Sequence, residues 1–145
     1  MSACIFGRAN MPFEPSLERH RDVIVSTADN YKGLTDLATA QVEGTDCRVH
    51  VRANASSTTP IVAPHGGSIE RCTPNVARDV AAADFNLYMF EGIRHARNYA
   101  ALHLTSQRFD APRCLESLSS CDHVVALHGC AGDVQRALAG ATTSP

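Results

Sequence analysis

Two short apolar runs in this chain each lead into a His-Gly step, and that repetition constrains the fold more than any other feature. Pro60-Ile61-Val62-Ala63 leads through Pro64 to His65-Gly66-Gly67-Ser68-Ile69-Glu70, and Val124-Val125-Ala126-Leu127 leads to His128-Gly129-Cys130. Short apolar, partly β-branched runs that stop at glycine read as buried strands. Each strand would then deliver an imidazole at its carboxyl end, with ligands converging on one edge of a sheet. His65 offers a ring nitrogen and Glu70 a carboxylate oxygen, a pair that zinc accepts in hydrolytic sites. The two glycines let the intervening loop turn sharply and bring both side chains back to one point.

The other elements fit around these strands. Residues 1–20 carry Pro12 and Pro15 without a period and read as an N-terminal extension, and Val23-Ile24-Val25 as a first strand. Helical spacing spans 33–42, and alternation from Cys47 to Arg52 predicts a strand with one wet face. Thr73-Pro74 reads as a cap followed by proline at the first position of a helix. Phe85 to Phe90 predicts a strand ending at Glu91-Gly92, and residues 101–106 another. Asp110 and Pro112 open a helix leading to the His128 strand. Strands alternating with helices imply an α/β fold: a mixed, mostly parallel sheet flanked by helices. Residues 21–138 form the domain, and 139–145 an irregular tail. In such sheets ligands bind beyond the carboxyl ends of the strands, where His65, Glu91 and His128 are expected.

Composition excludes several classes. The 145 residues are 44% hydrophobic and 19% charged with a net charge of −2, which gives no electrostatic case for nucleic acid or an anionic membrane. No run approaches the roughly 18 apolar residues of a membrane span. No secretory leader is visible in the first residues, so a cytoplasmic location is expected, with release on lysis. The six cysteines contain no C-x-x-C pair and read as reduced thiols.

His65, Glu70 and His128, with water in a fourth position, make the pattern of catalytic rather than structural zinc. Residues alone leave alternatives open. His65 also reads as a polar loop residue, and Glu70 as a solvated carboxylate near a helix N-terminus. His103 lies between Leu102 and Leu104 and reads equally as a contact of a ligand or of substrate, or as a satisfied histidine on the outer face. Cys130 beside His128 raises a separate reading, a thiolate nucleophile activated by imidazole.

Four stretches in order, APHGGSIE (63–70), FNLYMFEG (85–92), ALHLTSQRFDAP (101–112) and VVALHGC (124–130), together resemble the poly-γ-glutamate hydrolase family of phage and bacterial zinc peptidases. The resemblance runs from about Tyr31 to Gly132. It implies a zinc-carboxypeptidase-like α/β core, with His65, Glu70 and His128 matching the three zinc ligands. The implied reaction is hydrolysis of γ-glutamyl amide bonds in a polymer or peptide whose free α-carboxylates are held by basic side chains. Arg71, Arg97 and Arg108 flank the motifs and are candidates for that task, with His103 a further substrate contact. Family members continue past the His-Gly-Cys strand into a segment that supplies the general base. The chain is therefore expected to lack the C-terminal part of that core, with an unpaired sheet edge and reduced stability. Glu91, which ends a predicted strand next to the site, is a candidate substitute base, and reads equally as a residue that orients a ligand or caps the Gly92 turn. The alternative is a remnant that holds zinc and grips polyanionic peptide without cutting it.

Overall fold

Pro60–Gly67 becomes a central strand because Ile61, Val62 and Ala63 have apolar partners on both sides of the sheet. In the computed structural model, which describes residues 2–6, 29–119, 121–130 and 137–140, this strand lies between two parallel neighbours. The elements in chain order are β1 (Ser2–Phe6), α1 (Leu34–Leu37), β2 (Cys47–Arg52), β3 (Pro60–Gly67), α2 (Thr73–Ala81), β4 (Asn86–Gly92), α3 (Asn98–Leu102), α4 (Pro112–Leu118), β5 (Val125–Cys130) and β6 (Ala137–Gly140). They form one six-stranded sheet in the order β2-β4-β3-β5-β1-β6. Pairings β3·β4, β3·β5 and β1·β6 are parallel, whereas β2·β4 and β1·β5 are antiparallel. The sheet is thus mixed and mostly parallel, as the alternation of elements implied.

Side-chain alternation along the strands divides the core into two layers. Ile61 and Ala63 of β3, Leu87 and Met89 of β4, and Leu127 of β5 pack with Ala77 and Ala81 of α2. Val62, Tyr88 and Phe90 point the other way, against Leu37, Leu102, Leu104, Ala111 and Cys114. Strand β2 alternates only in its first half, with Cys47 buried, Arg48 exposed, Val49 partly buried and His50 exposed. Val51 then breaks the expected alternation by being exposed as well, as an edge strand beyond the covering helices permits.

Several expectations change. Residues 101–106 do not form a strand: Asn98–Leu102 is helix α3, 103–105 are extended, and Ser106–Arg108 make a 3-10 turn. Ala100, Ala101 and Leu102 are good helix formers, and Asn98 closes the loop that enters the helix by accepting from Arg94 N and donating to Arg94 O. Helix α1 stops at Leu37, after which Thr39 N and Ala40 N bond only three residues back. Cys72 rather than Thr73 occupies the N-cap of α2, at φ 69°, while Thr73 is buried inside the helix. Ser2–Phe6, read as part of an extension, pairs with β5 and covers that edge; Ala139 and Gly140, read as tail, belong to β6. The expected strand at Val23-Ile24-Val25 lies outside the described residues. Among the described residues no helix is long and apolar enough to cross a membrane.

Candidate metal centre

A break in the alternation of β3 aims His65. Ala63 faces α2, so strict period two would send His65 to the same side. The β3·β4 register shifts between Ala63 and Gly66, an inserted residue of the kind that re-aims a side chain. His65 therefore turns to the opposite layer, where it is 2% exposed and its ring lies 4.4 Å from that of His103. His65 is consequently within the strand, not in a loop beyond it. Gly66 then faces α2, where an added Cβ would lie 2.9 Å from Pro74 Cγ. Gly67, at φ 67°, lies so close to the main chain of Gly92 that no side chain fits.

The tight turn after Gly67 returns Glu70 to His65. Ser68 N donates to Gly92 O at 2.9 Å and Glu70 N donates to His65 O at 2.9 Å. Glu70 Oε1 then lies 3.1 Å from His65 Nδ1, and Glu70 Oε2 lies 3.7 Å from His128 Nδ1. Oε2 also accepts the Gly129 amide at 2.7 Å, tying the turn to β5. The two Nδ1 atoms are 3.0 Å apart. His65, Glu70 and His128 each offer one ligand atom, and these atoms lie within 4.8 Å of one another.

Tautomers decide what this cluster can hold. His65 Nε2 meets the Leu104 carbonyl oxygen at 2.5 Å, and a carbonyl only accepts, so Nε2 carries the proton and Nδ1 is left with its lone pair. His128 Nε2 lies 3.2 Å from Ser106 Oγ, which can accept its proton in the same way. Two ring lone pairs and a carboxylate then face one point, an arrangement that repels itself unless a cation or proton sits among them. With no ion at that point, a ring that takes up a proton at Nδ1 donates it to Glu70. Burial alone would raise the carboxyl's pKa, but hydrogen bonds from His128 and His65, the charge of a protonated His65 and the Gly129 amide bring it from 4.5 to about 2. It is an anion at neutral pH. Tetrahedral zinc with nitrogen ligands at its usual bond length separates them by about 3.3 Å. The observed spacing and donor set fit that ion.

The remaining candidates are dispersed. Glu91 follows Met89 onto the α2 face, is 7% exposed, and accepts from Arg78 Nη2 at 3.0 Å. It lies outside the ligand cluster, with the sheet between its side chain and the His65 ring. The expectation that it neighbours the site as a base is corrected by this strand parity. His103 lies between His65 and Tyr99, its ring 4.4 Å from that of His65 and tilted to it, and stacked on that of Tyr99 at 4.5 Å. Burial, and charge on His65 whenever that ring is protonated, lower the His103 pKa. Arg71 and Arg97 are exposed; Arg108 is half exposed with Nη1 3.7 Å from Asp29 Oδ2. The side chain of Cys130 lies outside the described residues.

Sequence reasoning missed three contributors: Asp29, the carbonyl of Leu104, and Ser106. The last two sit in a stretch that the motifs highlighted, but a backbone carbonyl leaves no mark on residue identity. Asp29 has no local signal at all.

Fold and cluster together define a mixed α/β domain with a candidate metal centre of two histidines and one glutamate near the carboxyl ends of β3 and β5. Residues 31–144 match the family model described as poly-gamma-glutamate hydrolase, and the chain belongs to that family. Curated relatives from Bacillus subtilis strain 168 include UPF0714 protein YndL, 40% identical over 82 residues (57% of this chain, 32% of the relative). UPF0714 protein YmaC is 31% identical over 114 residues, covering 79% of this chain and 47% of the relative. The chain thus spans between about a third and a half of the relatives it matches here. A bacteriophage poly-gamma-glutamate hydrolase structure aligns at TM-score 0.61 and 29% identity, covering 65% of this chain and 45% of that one. A structure described as zinc-free apo YndL aligns at TM-score 0.56 and 35% identity, covering 61% and 42%.

Proposed function

We propose that this chain supplies the metal-holding part of a zinc-dependent hydrolase of γ-glutamyl amide bonds. The observation that carries the reading is the convergence of His65 Nδ1, His128 Nδ1 and a Glu70 carboxylate oxygen on one point. The existence of a zinc-free apo form of YndL supports zinc as the ion, and the family supports the amide substrate. Zinc bound there would supply Lewis acidity, polarising the amide carbonyl and making water a competent nucleophile near neutral pH.

The chain's own residues prepare that chemistry. The Leu104 carbonyl holds the His65 Nε2 proton, and the Ser106 hydroxyl can accept that of His128, the tautomer in which each ring presents Nδ1 inward. Glu70 is kept ionised, and the Gly129 amide fixes its second oxygen. Arg71 follows Glu70 directly and Arg108 ends the turn that begins at Ser106. Both are exposed cations suited to pairing with the α-carboxylates of a γ-linked polymer.

A second reading has one observation in its favour. Among the described residues the cluster contains no carboxylate besides Glu70, and Glu91 faces the other layer. That arrangement suits a segment that holds zinc and grips polyanionic peptide without cutting it. Incubating the chain with poly-γ-glutamate, with and without chelator, separates the two. Chelator-sensitive shortening of the polymer supports hydrolysis; zinc-dependent binding without shortening supports the second reading.

A further inference from the structure

The side chain of Asp29 is 1% exposed, a position a carboxylate occupies only when its surroundings hold it. Its Oδ2 accepts two hydrogen bonds from one residue, Thr105 N at 3.0 Å and Thr105 Oγ1 at 3.0 Å. Its Oδ1 faces His103 Nδ1 at 3.4 Å. Residues 103–105 belong to no helix or strand, so their polar main-chain groups must be satisfied from elsewhere. Fixing both the amide and the hydroxyl of Thr105 sets the course of the chain on either side of it. The residue before is Leu104, whose carbonyl takes the His65 proton, and the residue after is Ser106, whose hydroxyl meets His128 Nε2. His103, one step further back, packs its ring against that of His65 at 4.4 Å.

We propose that Asp29 is a positioning residue of the metal centre: by anchoring Thr105 it holds the two groups that orient both histidine ligands. It touches no ligand itself. The inference rests on the zinc reading of the site but not on any substrate, so it holds for the catalytic and the non-catalytic alternatives alike.

The test compares zinc affinity, by competition with a chromophoric chelator, in the wild-type chain and in Asp29→Ala, Asp29→Asn and Thr105→Val. Urea midpoints of the metal-free chains are recorded alongside, to separate loss of fold from loss of affinity. Removing a group that orients histidine ligands costs about 10- to 100-fold in metal affinity, which is the expectation for Asp29→Ala. Asp29→Asn, which keeps an oxygen acceptor for Thr105, should recover most of that loss. A general structural role would not follow this order; it would follow the urea midpoints instead. Cobalt(II) in place of zinc should show altered visible bands in Asp29→Ala. If Asp29→Ala does not fold, Thr105→Val carries the test: a several-fold loss supports the proposal and unchanged affinity overturns it. Wild-type affinity in a folded Asp29→Ala overturns it and leaves the zinc reading intact. Absence of zinc binding by the wild type, under conditions where it is folded, overturns both.

Discussion

His65 Nε2 donates to the carbonyl oxygen of Leu104 at 2.5 Å. That bond selects the tautomer in which Nδ1, 3.0 Å from its counterpart on His128, is free to act as a ligand. Leu104 itself is fully buried in the layer with Val62, Tyr88 and Phe90, so the core of the fold fixes the position of the acceptor. Truncating it in Leu104→Ala should cost about 2–5 kcal/mol by cavity formation and lower metal affinity with it. Thermal unfolding and zinc titration of the same variant read the two effects.

Glu70 gives the site a pH dependence with a definite sign. Its pKa is depressed from 4.5 to about 2, so its stabilising contribution is complete above about pH 4.5 and disappears as pH falls through about 2. The loss across that window is at most about 3 kcal/mol. Urea midpoints from pH 6 to 3, taken with chelator present, should fall more steeply for the wild type than for Glu70→Gln. Parallel curves would show that Glu70 has an ordinary pKa in the folded chain.

Gly67 combines a φ of 67° with contact against the Gly92 main chain. Gly67→Ala should therefore destabilise the chain by about 2 kcal/mol or more, through backbone strain and collision together. The turn that returns Glu70 to His65 is built on this residue, so zinc binding should weaken too. A stable, zinc-competent Gly67→Ala variant would contradict the described turn.

Strand parity predicts a separation of effects at Glu91. Glu91→Gln breaks the ion pair with Arg78, a half-exposed partner, and should cost about 1 kcal/mol. Because the carboxylate lies across the sheet from the His65 ring, zinc stoichiometry should not change, and any γ-glutamyl turnover should survive. Loss of turnover with the fold intact would return Glu91 to the reaction.

Strands β3, β4 and β5 and the three clustered residues were legible in the sequence because short apolar runs ending in glycine carry their own signal. The side a residue faces was not. Its place at a strand end predicts Glu91 beside the site, but its parity with Met89 sends it to α2. His65 escapes the same fate through a register shift at Pro64, which has no N–H to give the ladder and so marks a bulge in a central strand, although the direction in which it turns the next side chain is not written in the sequence. The alternation of Leu102, His103 and Leu104 suggested a strand because it spans the junction between a helix end and an extended segment, where burial still alternates. Asp29 was invisible because its role depends on a contact 76 residues away.

The most direct test of the metal centre is the zinc content of the purified chain, measured by elemental analysis beside His65→Ala and His128→Ala. The geometry predicts about one zinc per wild-type chain, with His65, Glu70 and His128 as its protein ligands, and loss of that zinc in both variants. A folded wild-type chain without zinc, or zinc retained in both variants, would contradict the assignment.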